Sequence, residues 1–290
     1  MKYPLLGPFV PIIPHPGYLL KAAKTAVEDD GNTFMVYSDD PDYIEPDVNS
    51  PKDVENLDKF WADNGLSTKT LVAHAPFIMN IANPINEKTW HFSVNILEKE
   101  LSFCERIGLP ILVVHSGSYV QGTVQQGLDR IVRALNQVAD KKYSVKIALE
   151  TMSGKGTEVG ITFEQFKYIF DHLDSKVNVG LCLDTCHLND AGYDIGDWDS
   201  VKAEIAKNVG LDKVYCIHLN DSKNAKGSHK DRHANIGYGT IGFDNLVRVA
   251  WDETFKDVPK ILETPWVDNH AYYKEEIADL RQKKFTNYLD

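Results

Sequence analysis

No stretch of the chain approaches the ~18 uninterrupted apolar residues that a membrane-spanning helix needs. The opening MKYPLLGPFVPIIPHPG is interrupted by prolines before an apolar secretory core can form, so no signal peptide is expected. Cysteine is scarce. Cys104, Cys182, Cys186 and Cys216 are the only four, and none is spaced as CxxC. A disulfide scaffold is not expected in a chain of 290 residues. Reduced, mostly buried thiols and a cytoplasmic setting are. Positive charge is short as well: 31 Lys and Arg face 42 Asp and Glu, for a formal net charge of -11. That excludes passive coating of nucleic acid by a basic surface. Any grip on a phosphate backbone would need a local source of positive charge, such as bound metal. Linker-like tracts are missing too. DDPDYIEPDVNSP at 39–51 reads as a long acidic loop, and one domain over 1–290 is expected.

What the chain has is 43% hydrophobic residues, gathered in short apolar runs separated by helical patterns. LLGPFV at 5–10, NTFMVY at 32–37, TLVAH at 70–74 and ILVVH at 111–115 are the first four runs. KIALE at 146–150, GLCLD at 180–184, VYCIHL at 214–219 and KILETP at 260–265 complete a set of eight. Their β-branched and aliphatic content suits strands covered on both faces. Helical spacing runs over 87–108, 123–140 and 161–173. Thr123 is placed as an N-cap, and Thr162 with Gln165 has the form of a capping box. Shorter patterns cover 17–30, 53–64, 201–209, 243–255 and 271–284. Eight strand–helix alternations predict an α/β fold, a (β/α)8 TIM barrel. A doubly wound sheet is the alternative, because composition does not report closure.

The candidate strands share an ending. His74, His115, Glu150, Asp184, His218 and Glu263 fall at the ends of six consecutive strands. In a barrel those ends converge on one mouth. His187 lies three residues past Asp184, and Asp231 and His233 lie in the long polar loop after the seventh strand. A lone histidine near a strand end is ordinarily a hydrogen-bonded residue, and a lone carboxylate often caps the next helix. Five imidazoles and four carboxylates aimed at one point are different, since they would stay unsatisfied without a cation among them. The donor mixture suits Zn²⁺, and Mn²⁺ or Fe²⁺ also fits. Nine donors exceed the need of one zinc and, with bridging carboxylates, could serve three. Three divalent ions against four carboxylates would leave a positive floor in an acidic protein. Such a site hydrolyses phosphoesters, isomerises sugars or cleaves peptides, and the residues alone leave these open.

Specific motifs narrow the choice. They are HAPFIMNIANP at 74–84, VVHSGSY at 113–119, ALETMSGKGTEVG at 148–160 and CLDTCHLNDAGYDI at 182–195. HLNDSKNAKGSHKDRHANIGYGTIG at 218–242 and ILETP at 261–265 follow. From about residue 30 to 284 the chain resembles the endonuclease IV family of abasic-site DNA repair enzymes. The resemblance implies a barrel with a trinuclear zinc cluster and no membrane partner. It implies hydrolysis of duplex DNA on the 5′ side of an abasic site, leaving a 3′-hydroxyl and a 5′-deoxyribose phosphate, with clearing of blocked 3′ ends. On the matching positions one zinc takes His74, His115 and Glu150. A second shares Glu150 with Asp184, His218 and Glu263, and a third takes His187, Asp231 and His233. Glu150 and Glu263 are the catalytic carboxylates, orienting the attacking water. Phe77 and Ile78 match side chains that fill the gap left by a flipped nucleotide. Lys223, Lys226, Lys230 and Arg232 are the candidate phosphate contacts. A monomer is the family default.

The chain departs from the family in its opening GPFVPIIPHPGY, where His15 is displaced. It also has Thr151, Met152 and Ser153 where Asn, Thr and Ala are common, and Ser116 where proline is usual. Gly154, Gly156, Gly237, Gly239 and Gly242 fit tight loops. The GxGxxG form at 237–242 follows a loop, not a strand, which argues against a dinucleotide site.

Overall fold

The computed structural model describes residues 3–11, 17–37, 51–139, 141–174 and 177–289. Along the chain run β1 (Leu6–Pro11), α1 (Tyr18–Glu28), β2 (Met35–Tyr37), α2 (Pro51–Asp63), β3 (Val72–His74) and α3 (Glu87–Ile107). They are followed by β4 (Ile111–His115), α4 (Val124–Ala139), β5 (Lys146–Glu150), α5 (Phe163–Asp171), β6 (Val179–Asp184) and α6 (Thr185–Ala191). Next come α7 (Trp198–Asn208), β7 (Val214–His218), β8 (Asp221–Ser222), β9 (His233–Ala234), α8 (Phe243–Ala250), β10 (Lys260–Leu262) and α9 (Tyr273–Gln282). Eight parallel strands close into a barrel in the order β1-β10-β7-β6-β5-β4-β3-β2, while β8 and β9 form a separate antiparallel pair. This is the expected (β/α)8 barrel, and closure excludes the doubly wound alternative. Each of the eight apolar runs overlaps a barrel strand, with β1 and β6 extending one residue beyond theirs.

Two layers of core follow from the two-residue period of a strand. The inner one is made of Met35, Val72, Ile111, Val113, Ala148, Cys182, Cys216 and Ile261. The outer one, between strands and helices, takes alternating neighbours such as Leu112, Val114, Leu149, Leu181, Leu183 and Ile217. Helices α3 and α4 bury Trp90, Val94, Leu97 and Leu101, and Leu128, Ile131 and Leu135, at the spacing of one helical face.

Local differences have physical causes. The capping box forms at Thr123, where Thr123 Oγ1 accepts from the Gln126 amide (3.3 Å) and Gln126 Oε1 accepts from the Thr123 amide (3.0 Å). It does not form at Thr162. Gln165 Oε1 is taken instead by the amides of Gly160 (2.6 Å) and Ile161 (3.1 Å). The seven-residue α6 was not anticipated, because two turns show no readable periodicity. His15 and positions 39–50 lie outside the described residues. Among the described residues no helix is long and apolar enough to cross a membrane.

Candidate metal centre

Six inward-facing core residues each lie two positions before a candidate ligand. Val72 precedes His74, Val113 precedes His115, Ala148 precedes Glu150, Cys182 precedes Asp184, Cys216 precedes His218 and Ile261 precedes Glu263. Strand alternation therefore aims all six down the barrel axis at its C-terminal mouth. Register brings two neighbouring pairs level, while the others are offset by two residues. His115 pairs with Glu150, and Asp184 with His218. The second pairing depends on a register shift: Leu181 pairs with Val214 but Cys182 with Cys216, so β7 carries one extra residue. Such a bulge re-aims the residues beyond it.

The donor atoms fall into three groups, each within 4.8 Å. They are His74, His115 and Glu150; Glu150, Asp184, His218 and Glu263; and His187, Asp231 and His233. Glu150 joins the first two. Its Oε2 lies 3.1 Å from His74 Nε2 and 3.3 Å from His115 Nε2, while its Oε1 lies 3.1 Å from His218 Nδ1. His218 Nδ1 is also 3.0 Å from Glu263 Oε2. His187 Nε2 is 3.0 Å from Asp231 Oδ1, and His233 Nε2 is 3.5 Å from Asp184 Oδ2, which ties the third group to the second.

The tautomers are fixed from outside the cluster. His74 Nδ1–H donates to the Ala75 carbonyl (2.7 Å), His187 Nδ1–H to Thr151 (2.9 Å) and His233 Nδ1–H to Glu263 (3.1 Å). A carbonyl only accepts, so each Nδ1 carries its hydrogen and Nε2 is left as the inward nitrogen that binds a cation, a proton or a metal ion. This is how metal-binding imidazoles are usually oriented. His233 Nε2 is buried without a hydrogen-bond partner, as is His218 Nε2 on the far edge of its ring. A lone pair aimed at carboxylate oxygens needs a cation between them, and the donor set thus fits divalent metal.

Electrostatics points the same way. Burial opposes ionisation of Glu150, yet His218 and His115 beside it hold its carboxyl well below the usual carboxylate range. Burial likewise opposes Glu263, but His218 brings it to about 2. Asp231 sits at about 2 because His187 outweighs its burial. Burial should lower His187 and His218, but the neighbouring carboxylates, with Cys182 for His218, raise both well above the ordinary value. The cluster demands positive charge at its centre.

Several supporting residues escaped the sequence reading. Asn220, fully buried, gives its Nδ2 to Asp184 Oδ2 (2.8 Å) and takes the Glu263 amide on Oδ1 (2.9 Å). Asp184 Oδ1 caps α6 by accepting from the His187 amide at 2.7 Å. Thr151 accepts the Asp184 amide on Oγ1 (3.0 Å), and Ser116 donates to the Glu150 carbonyl (2.9 Å), so two departures from the family pattern still serve the site. Buried Asp190 takes the Asp231 amide on Oδ2 (2.9 Å) and the Ser222 hydroxyl on Oδ1 (2.7 Å). Cys182 and Cys216 also approach His218 within 4.8 Å, and Cys186 approaches Asp184 and His233. These are polar residues one step behind the ligands, or thiols that read as plain core.

The GxGxxG stretch cradles the protein's own carboxylate. Asp221 accepts from the amides of Gly237 (3.1 Å), Gly239 (3.1 Å) and Ile241 (2.9 Å), and Gly242 adds a longer contact. A Cβ at Gly239 would run into that carboxylate.

The candidate DNA contacts divide. Phe77 and Ile78 stand exposed on the loop after β3. Lys223, Lys226, Lys230 and Arg232 are exposed on the excursion between β8 and β9. The Lys226 ammonium pairs with Asp194 at 2.7 Å, and Arg232 donates to the Asp231 carbonyl at 2.7 Å.

A family model described as a xylose isomerase-like TIM barrel matches residues 24–283. The chain is 46% identical over 289 residues to a probable endonuclease 4 of Mesoplasma florum, covering 99% of both. It is 40% identical over 277 residues to a probable endonuclease 4 of Bacillus subtilis, covering 93% of both. It matches the crystal structure of endonuclease IV from Thermus thermophilus with a TM-score of 0.77 and 29% identity, covering 97% of both chains. A D-tagatose 3-epimerase-like protein, at 21% identity, a TM-score of 0.67 and 96% of both chains, shares the fold alone. The motifs that carry the resemblance meet at one barrel mouth, relatives match nearly end to end, and the chain belongs to the endonuclease IV family.

Proposed function

We propose that this chain hydrolyses the phosphodiester bond on the 5′ side of an abasic site in duplex DNA, leaving 3′-hydroxyl and 5′-deoxyribose phosphate ends. Trimming of blocked 3′ ends would use the same site. The observation that carries this reading is the three-group cluster at the barrel mouth, with its imidazole tautomers fixed by backbone carbonyls. His74, His115 and Glu150 would hold one zinc ion. Glu150, Asp184, His218 and Glu263 would hold a second, and His187, Asp231 and His233 a third. When bound, divalent ions lower the pKa of water and offset charge on phosphate oxygens.

The chain's own residues do the rest. Glu150 bridges two groups through separate oxygens and fixes their spacing. Glu263 is partly open to the mouth and sits 3.0 Å from His218, where it can accept a hydrogen from the attacking water and aim it. Asp231 and His233 extend the cluster under the long loop, where Arg232 and the lysines face solvent and can meet phosphate oxygens. Phe77 and Ile78 would occupy the space vacated by the flipped nucleotide. The chain would act as a monomer.

The test is a duplex with one abasic site, incubated with the metal-loaded protein and with protein treated with a strong chelator. Expected is a single incision on the 5′ side that the chelator abolishes. Activity on a free ketose with none on the duplex would favour the sugar-isomerase reading of the same fold. Cleavage by β-elimination would overturn the hydrolytic one.

A further inference from the structure

Among the described residues, the three most exposed large apolar side chains are Phe77 (73%), Ile78 (64%) and Trp266 (56%). All three stand on loops at the mouth, the first two after β3 and Trp266 after β10. In the closed strand order β3 and β10 are separated by two strands on one side and by four on the other. The two loops thus flank the cluster from well-separated sides.

Trp266 is presented by a rigid support. Val267 and His270 exchange both backbone hydrogen bonds, at 3.0 and 2.9 Å. Between them Asp268 and Asn269 take positive φ, 52° and 63°. Left-handed conformation at both central positions is the tight hairpin turn that Asp and Asn favour. The Pro265 carbonyl accepts from Asn235 Nδ2 (3.2 Å), and Thr264 Oγ1 donates to buried Glu276 (2.6 Å). Glu263, three residues before Trp266, belongs to the candidate centre. Trp61, Trp90 and Trp198 are buried in the core, whereas this indole is held out on an ordered turn. An indole offers a broad flat face for stacking on bases or sugars, whatever their sequence.

We propose that Trp266 is a substrate-binding residue that packs against nucleotides flanking the abasic position, on the side away from Phe77. The inference rests on the abasic-DNA reading above and adds a contact to it.

The test uses the metal-loaded full chain as wild type, Trp266→Ala and Trp266→Phe. Incision kinetics on the abasic duplex should show KM raised about 10-fold in Trp266→Ala, with kcat within about 2-fold of wild type. Trp266→Phe should recover most of the affinity. Titration of the metal-loaded, slowly incising Glu263→Gln chain with the duplex should change tryptophan emission, and that change should vanish when Trp266→Phe is added, a readout that does not depend on turnover. An unchanged KM in Trp266→Ala, or an emission change that persists in Trp266→Phe, would overturn the proposal while leaving the function intact. A wild type that neither binds nor incises the duplex would overturn both.

Discussion

At the scale of single residues, the cluster is built from side chains whose chemistry is decided by a partner outside it. Three histidines give Nδ1–H to backbone carbonyls and turn Nε2 inward. Glu263 is a carboxylate that meets His218, and its side chain, like those of His233, His115 and Asp231, remains partly open to the mouth. That position suits handling of the attacking water more than holding the cluster together. Glu263→Gln preserves shape and one acceptor oxygen but removes the charge. Incision should fall by roughly 10²–10⁴-fold, the usual size of a lost acid–base group, while duplex affinity stays within a few-fold. Single-turnover incision and equilibrium binding on the same abasic duplex decide it, and affinity lost in step with rate would assign Glu263 to holding the site. The strand-end donors were legible because an imidazole or carboxylate closing an apolar run marks a strand end, and in a barrel those ends converge on one mouth. Asn220 and Asp190 were not, because a buried amide or carboxylate that orients a ligand has no spacing rule.

At the scale of elements, the decisive features are short and irregular. The extra residue in β7 realigns His218 with Asp184, and no residue in VYCIHL announces it. The β8–β9 pair and its excursion are held by Asp221, which gathers glycine amides, and by Asp190. The Asp190 backbone carbonyl takes the His229 amide (3.0 Å), and its carboxylate takes the Asp231 amide (2.9 Å) and Asn224 Nδ2 (3.3 Å). Asp231 itself has φ 57°, a conformation that a non-glycine residue keeps only when its surroundings impose it. Asp190→Ala should therefore loosen the His187–Asp231–His233 group selectively. Metal analysis after dialysis should show affinity weakened ~10–100-fold for about one equivalent, as for other residues that orient ligands. Heat unfolding of the barrel should shift less than metal content does. Loss of all equivalents together would show that Asp190 supports the whole mouth. The misplaced capping box makes the same point about sequence: Thr162 and Gln165 have the correct spacing, yet two amides of the preceding loop claim the glutamine first.

At the scale of the whole molecule, a net charge of -11 must coexist with a polyanionic substrate. The lysines on the excursion are a modest counterweight. Lys226 is already paired with Asp194, and exposed pairs and charges of this kind contribute little each. The larger source of positive potential would be the centre, where three divalent ions, as proposed, would outweigh four carboxylates. Duplex affinity should then depend more on metal than on the loop. Protein stripped by a chelator should lose at least ~10-fold in affinity for an abasic duplex at moderate salt. The triple variant Lys223→Ala, Lys226→Ala, Lys230→Ala should lose only a few-fold. Affinity measured across a salt series separates the two causes. Each lysine that meets a phosphate lowers the log–log slope by about 0.9 when removed, so a slope unchanged in the triple variant would place the phosphate contacts elsewhere. If the stripped protein bound as tightly as the loaded one while the triple variant lost binding, the basic loop, not the metal centre, would be the grip that lets an acidic barrel hold DNA.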